Sequence, residues 1–184
     1  SEDLERRVGR AIAPEGVSAF VFNFVDLLTH GRSESAILYE VARDEIALRQ
    51  LTLQWFQRSA LLGVLREASR RKVSVLVTSD HGSIHCHTPA TVFAKRDATA
   101  NLRYKFGEDL RAERAEQALL FPNEDLLRLP RRGLGANTLL AVSDGFFVYP
   151  TKLREYQSRY RGSFLHGGVT PEECILPVAL LTPK

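Results

Sequence analysis

Residues 73–82 read Val73-Ser-Val-Leu-Val-Thr-Ser-Asp80-His81-Gly82, and the reading of the whole chain depends on this stretch. Val73, Val75, Leu76 and Val77 form a short aliphatic, β-branched run after a helical pattern, which predicts a buried parallel strand of an α/β sheet. In open parallel sheets the ligand crevice lies beyond the carboxyl ends of the strands, so Asp80 and His81 emerge where chemistry is expected. Gly82 lets the backbone turn sharply. Such a pair can ligate a metal or act as an acid–base couple. Equally, Asp80 can cap the next backbone groups and leave His81 partly exposed.

Working upstream, Leu4, Val8, Ala11 and Ile12 recur at helical spacing and predict a leading helix that stops at Pro14 and Gly16. Val17 to Val25 is apolar and β-prone and reads as a second buried strand. Asp26 follows it directly, and His30 comes four residues later, so one helical turn or a tight loop puts carboxylate and imidazole on the same side. A helix-capping Asp with a surface His is the alternative. Residues 33–72 read as helical with a break, Asp44 and Ser59 being the expected caps. Val17 to Ser79 is then a βαβ crossover, right-handed by rule. Trp55 belongs to the core, and Arg70-Arg71-Lys72 to a solvated helix end.

Downstream of Gly82 the texture changes to short β segments at residues 84–88, 90–94 and 102–106. His85-Cys86-His87 resembles a metal cluster, yet in a strand His85 and His87 share one face while Cys86 points to the other, so the three do not converge. A short helix is expected over residues 111–120. Residues 137–142 and 146–149, joined by Ser143-Asp144-Gly145, read as a β-hairpin. A helix starts at Pro150 and runs to about Arg161. Thr170, Pro171 and Glu173 form a capping-box start, which places His166 in a Gly-flanked loop just before a short helix. Residues 175–181 close the chain as a strand, with Pro177 pointing to a sheet edge.

The 184 residues are 44% hydrophobic and 26% charged, as expected of one domain with a real core. We divide it into a leading helix (1–16), a βαβ core (17–82), a β-rich insertion (83–150) and a closing helix, loop and strand (151–184). No apolar run reaches membrane-spanning length and the charged N-terminus is unlike a signal peptide, so no membrane insertion and a cytoplasmic location are expected. Two cysteines, Cys86 and Cys174, make no disulfide framework. A net charge of +3 suits anionic, phosphate-bearing partners but falls short of a dedicated nucleic-acid binder.

Three loops thus offer Asp26 with His30, Asp80 with His81, and His166. Two imidazoles and a carboxylate with an open fourth position make a catalytic zinc pattern, and a second Asp-His pair suggests two metals. Paired metals suit phosphoryl transfer, where they clamp the attacking and leaving oxygens. The marks Phe-Asn-Phe-Val-Asp26-Leu-Leu-Thr-His30, Thr-Ser-Asp80-His81-Gly, Thr-Ala-Asn101-Leu-Arg103-Tyr-Lys105 and His166-Gly-Gly with Glu172-Glu173 resemble the alkaline phosphatase superfamily, specifically the PglZ-type domain of PorX-like response regulators.

The resemblance runs from roughly Val17 to the C-terminus. It implies an alkaline-phosphatase-like α/β fold with a mainly parallel sheet flanked by helices and a small β-rich insertion. It also implies two zinc ions, one held by Asp26, His30 and His166 and the other by Asp80 and His81. In that superfamily the second metal also takes an upstream Asp and a Thr or Ser nucleophile. No such strand precedes Val17, so the domain is expected to be truncated at its start and this chain to lack the nucleophile, Thr78 and Ser79 being poorly placed to replace it.

The function implied is a zinc-dependent phosphoesterase, most simply a phosphodiesterase acting on a phosphate ester or oligonucleotide, as the output domain of a two-component signalling protein. Asn101, Arg103 and Lys105, read as one face of a strand, are the expected phosphate contacts. The alternative is a non-catalytic, metal-stabilised docking domain that binds a regulatory protein or a second copy of itself. A third reading, nucleic-acid binding through Arg128, Arg131 and Arg132, is the weakest.

Overall fold

Asp44 and Ser59 each start a helix in the way the sequence suggests. Asp44 Oδ1 accepts from the Ala47 N–H at 2.8 Å and Ser59 Oγ from the Leu62 N–H at 3.4 Å. Each cap satisfies a donor of the first turn that would otherwise lack an intrahelical partner. With Phe24–Arg32 (α1) and Ala36–Val41 (α2) before them, the capped helices are Glu45–Arg58 (α3) and Ala60–Arg70 (α4). The computed structural model describes residues 9–13, 15–95, 98–122 and 135–183. The chain splits into two compact units, Ser1–Ser79 with Pro177–Lys184, and Asp80–Leu176.

In the first unit, Ile12, Val64 and Ala68 are buried together with Phe22 and Val75 against them. Trp55 serves this interior as expected: its ring stacks on Phe24 at 4.6 Å and meets Phe22 edge-on at 6.3 Å. The decisive stretch forms the strand Val75–Val77 (β1), but it pairs antiparallel with Ala179–Leu181, Val77 facing Ala179. This corrects the expected parallel strand. Residues 17–23 are no strand either, since Val17 is 95% and Val21 84% exposed, and Phe24 already begins α1. The expected βαβ crossover is therefore not formed among the described residues. β-propensity becomes a strand only where a neighbour supplies a ladder and a face to cover, whereas here Phe22 and Phe24 turn to Trp55. Leu4 and Val8 of the expected leading helix lie outside the described residues, as do Arg128, Arg131 and Arg132.

The second unit carries Ile84–Cys86 (β2), Thr88–Phe93 (β3), Tyr104–Glu108 (β4), Arg111–Ala112 (β5), Ala118–Phe121 (β6), Ala136–Ala141 (β7), Gly145–Val148 (β8) and Ser163–Leu165 (β9). Its two three-stranded sheets have the orders β5-β3-β8 and β4-β7-β6, and β2 pairs separately with β9. Among the described residues every pairing here is antiparallel except β3 with β8, so the sheets are small and mixed rather than one parallel sheet. The expected hairpin is also corrected. β7 and β8 join different sheets, the chain crossing over at Ser143, whose φ of 46° makes the corner. Burial explains the switch. Phe147 packs with Leu139 and Ala141, while Phe146 and Val148 pack with Cys86 and Leu165, so both faces of β8 are covered. Residues 111–120 form β5, a 3₁₀ turn and the start of β6 instead of a helix. The helix Leu153–Tyr160 (α5) and the short Pro171–Cys174 (α6) stand where expected.

Candidate metal-ligating loops

Helical spacing alone assembles the first candidate pair. Asp26 lies in the first turn of α1 and His30 one turn on, bringing His30 Nε2 to 3.3 Å from Asp26 Oδ1 on an exposed face. Two ligands of one zinc at about 2.0–2.2 Å in tetrahedral geometry lie ~3.3 Å apart, so the pair fits a shared ion.

In the second unit, Asp80 and His81 follow one another, and Asp80 is 90% exposed with Oδ2 at 3.9 Å from His81 Nε2. His81 Nδ1 sits 3.0 Å from the Gly82 carbonyl oxygen. A carbonyl only accepts, so Nδ1 is the donor in this contact, which leaves Nε2 as the nitrogen that can ligate a metal. The His81 ring stacks on His166, centroids 3.8 Å apart and planes 11° off parallel. Two imidazoles from loops 85 residues apart in sequence thus converge within this unit.

His85-Cys86-His87 does not converge, as the strand period implies. The two imidazoles meet on one face, rings 4.2 Å apart, while Cys86 is fully buried on the other. Burial pushes the Cys86 thiol up to about 12, which suits a packing residue and not a thiolate ligand.

The phosphate-facing row expected of Asn101, Arg103 and Lys105 is not what forms. The strand begins only at Tyr104, and Arg103 and Lys105 are both 0% exposed. Arg103 makes a two-pronged contact with Glu173, Nε to Oε1 at 3.0 Å and Nη2 to Oε2 at 2.8 Å. Lys105 Nζ donates to the Thr99 carbonyl at 2.6 Å and lies 5.0 Å from the Tyr149 ring centroid, and burial lowers its pKa to about 8. Asn101 Oδ1 accepts from the backbone N–H of Arg103 and of Tyr104. Chain alternation predicted a shared face correctly in kind but not its direction: residues 103 and 105 face the interior.

A family model described as the BREX system PglZ alkaline phosphatase-like domain matches residues 2–181. The chain belongs to the PglZ family. No curated protein matches it. Among the described residues, no helix of this PglZ domain is long and apolar enough to cross a membrane.

In the sequence Glu173 figures as part of a helix start and of a family mark, with no role of its own, yet its carboxylate is bonded from several sides beside these loops. Its Oε1 accepts from the Gly168 N–H at 2.8 Å, and its Oε2 accepts from the Thr170 N–H at 3.1 Å and the Thr170 hydroxyl at 2.9 Å. Burial pushes the Glu173 carboxyl up, but the hydrogen bonds from Arg103, Gly168 and Thr170 outweigh it and hold the carboxyl below its ordinary value. The signal available in the sequence was an acidic residue at the third helical position, just after a His-Gly-Gly loop, with an Arg immediately before a strand.

Proposed function

We propose that this PglZ domain is a metal-dependent phosphoesterase module, most simply a zinc phosphodiesterase, with Asp26, His30 and His166 holding one ion and Asp80 and His81 the other. Family membership supports the reaction class. The observation that carries the metal reading is the stacked His81–His166 pair, with His81 oriented through Nδ1 by the Gly82 carbonyl. The donor set of carboxylate oxygens and imidazole nitrogens is one that zinc accepts. When bound, such ions lower the pKa of a hydroxyl and neutralise phosphoryl oxygens. The residues of this chain supply the rest: carboxylates that offset the cationic charge, and in His81 an imidazole oriented through its second ring nitrogen.

No nucleophile is assigned among these residues. Thr78 donates its hydroxyl to the Pro177 carbonyl at 3.0 Å, a contact within the first unit. A phosphate ester is the substrate class, and a place in two-component signalling belongs to the same proposal.

Elemental analysis of the purified chain tests the metal centre, and hydrolysis of bis-p-nitrophenyl phosphate tests the reaction. Zinc should be present and should fall in His166→Ala. Retention of full zinc by that variant would remove His166 from the ligand set. The 184 residues alone should turn over the ester poorly, whereas zinc-dependent turnover at the rate of a longer protein containing them would place the nucleophile within them. Zinc without turnover even in the longer protein would favour the docking alternative.

A further inference from the structure

The glycines beside the two stacked histidines all face one cluster. A Cβ on Gly82 would lie 1.9 Å from the Glu172 carbonyl oxygen, and one on Gly168 would lie 2.6 Å from Glu173 Oε2 and 2.7 Å from Arg103 Nη2. Gly167, at φ +102°, would place a Cβ 3.0 Å from Asn101 Nδ2. Glycine is required at such approaches because any side chain would push the loop off its support. Gly167 thus approaches Asn101, whereas Gly82 and Gly168 approach the start of α6, where Glu173 bonds to both histidine loops. Its backbone carbonyl accepts from the Gly82 N–H at 2.9 Å, one residue after His81. Its carboxylate accepts from the Gly168 N–H at 2.8 Å, two residues after His166.

We propose that Glu173 is the positioning residue that holds His81 and His166 in register, and that Arg103 locks its carboxylate in place. The ion pair is closed to water, with side-chain exposures of 0% for Arg103 and 2% for Glu173. Arg103 is anchored in turn by Nη1 on the Gly145 carbonyl, at the corner between β7 and β8. The carboxylate therefore cannot swing without breaking a two-pronged pair and three further hydrogen bonds. A glutamate is needed for its two acceptor oxygens. Glutamine in its place would point an amide N–H at Arg103 in either orientation, and at Gly168 or Thr170 besides, all donors there. The Arg that the sequence offers to a phosphate acts here behind the site, through Glu173, on the loop that carries His166.

Two readouts test this on the whole chain. In Glu173→Gln, nuclear Overhauser contacts between the His81 and His166 rings should disappear in the metal-free protein, and Zn2+ affinity measured against a chelating dye should fall at least about tenfold, as for lost outer-shell partners of metal ligands. Gly168→Ala, which leaves the ion pair's own atoms intact, should show the same two changes and keeps the test open if Glu173→Gln does not fold. A purely structural role would lower the melting temperature while folded protein well below it kept both readouts. Retention of the ring contacts, with affinity within about twofold in a folded variant, overturns the proposal. The affinity readout rests on the metal reading above, but the ring contacts do not. If wild type takes up no Zn2+, that reading fails, while the ring contacts still decide this one.

Discussion

The Asp26–His30 pair and the His81–His166 pair offer similar atoms by opposite means. The first is a surface arrangement of one helix, made by i,i+4 spacing and needing nothing beyond α1. The second joins two loops distant in sequence, and its geometry is set by a buried carboxylate, a buried guanidinium and glycines that admit close approach. A local pair costs little to form and little to lose. A tertiary pair is only as stable as the cluster behind it, so damage to that cluster should show in stability as well as in ligation.

The sharpest way to break the contrast is Arg103→Ala. It strands the Glu173 carboxylate in a site closed to water, and removing one partner of a buried pair costs about 3–5 kcal/mol. Urea unfolding should report a loss of that order, and a loss below about 1 kcal/mol would make the cluster peripheral.

Lys105 gives a comparable but pH-dependent effect. Its folded pKa of about 8 lies below the ordinary 10.5, so the protonated form is the one folding penalises. The penalty is complete below pH 8 and is relieved as pH rises from 8 towards 10.5. Stability should increase over that window by up to roughly 3 kcal/mol from this group. Lys105→Met should flatten the rise, and an identical pH slope in both proteins would rule this out.

The smallest effect on folding belongs to the helical pair. His30→Ala should shift stability by less than about 1 kcal/mol, because the side chain is half in solvent and its contact with Asp26 lies on an exposed face. Zinc content should nevertheless drop. A variant that is strongly destabilised, or that keeps its zinc, would erase the distinction between the two pairs.

Legibility in the sequence follows the same division. The caps at Asp44 and Ser59, the helical turn from Asp26 to His30, the split of His85 and His87 from Cys86, and the Gly-flanked loop at His166 are all local patterns with fixed periods, and each was readable. The strand partners were not. Val75–Val77 has the composition of a buried parallel strand but pairs antiparallel with Ala179–Leu181, a choice made by the return of the chain more than a hundred residues later. Ser143-Asp144-Gly145 carries hairpin chemistry, yet the apolar residues on both faces of β8 draw that strand to β3. For Arg103 and Lys105 the alternation was right and the side was wrong, because the carboxylate that draws Arg103 inward lies 70 positions away.

The pairing of β1 with Ala179–Leu181 also bears on the order of assembly. The insertion Asp80–Leu176 leaves from one of these strands and returns to the other, with Val77 opposite Ala179. Were the roughly hundred intervening residues unstructured, joining those ends would cost on the order of 4 kcal/mol in chain entropy. A three-residue pairing edge cannot offset that alone. Once the insertion has folded, its ends no longer wander, and the same pairing closes at small cost. Amide protection in pulse-labelled refolding should accordingly reach β7 and β8 before it reaches Val75–Val77, although Val75–Val77 precede both in the chain.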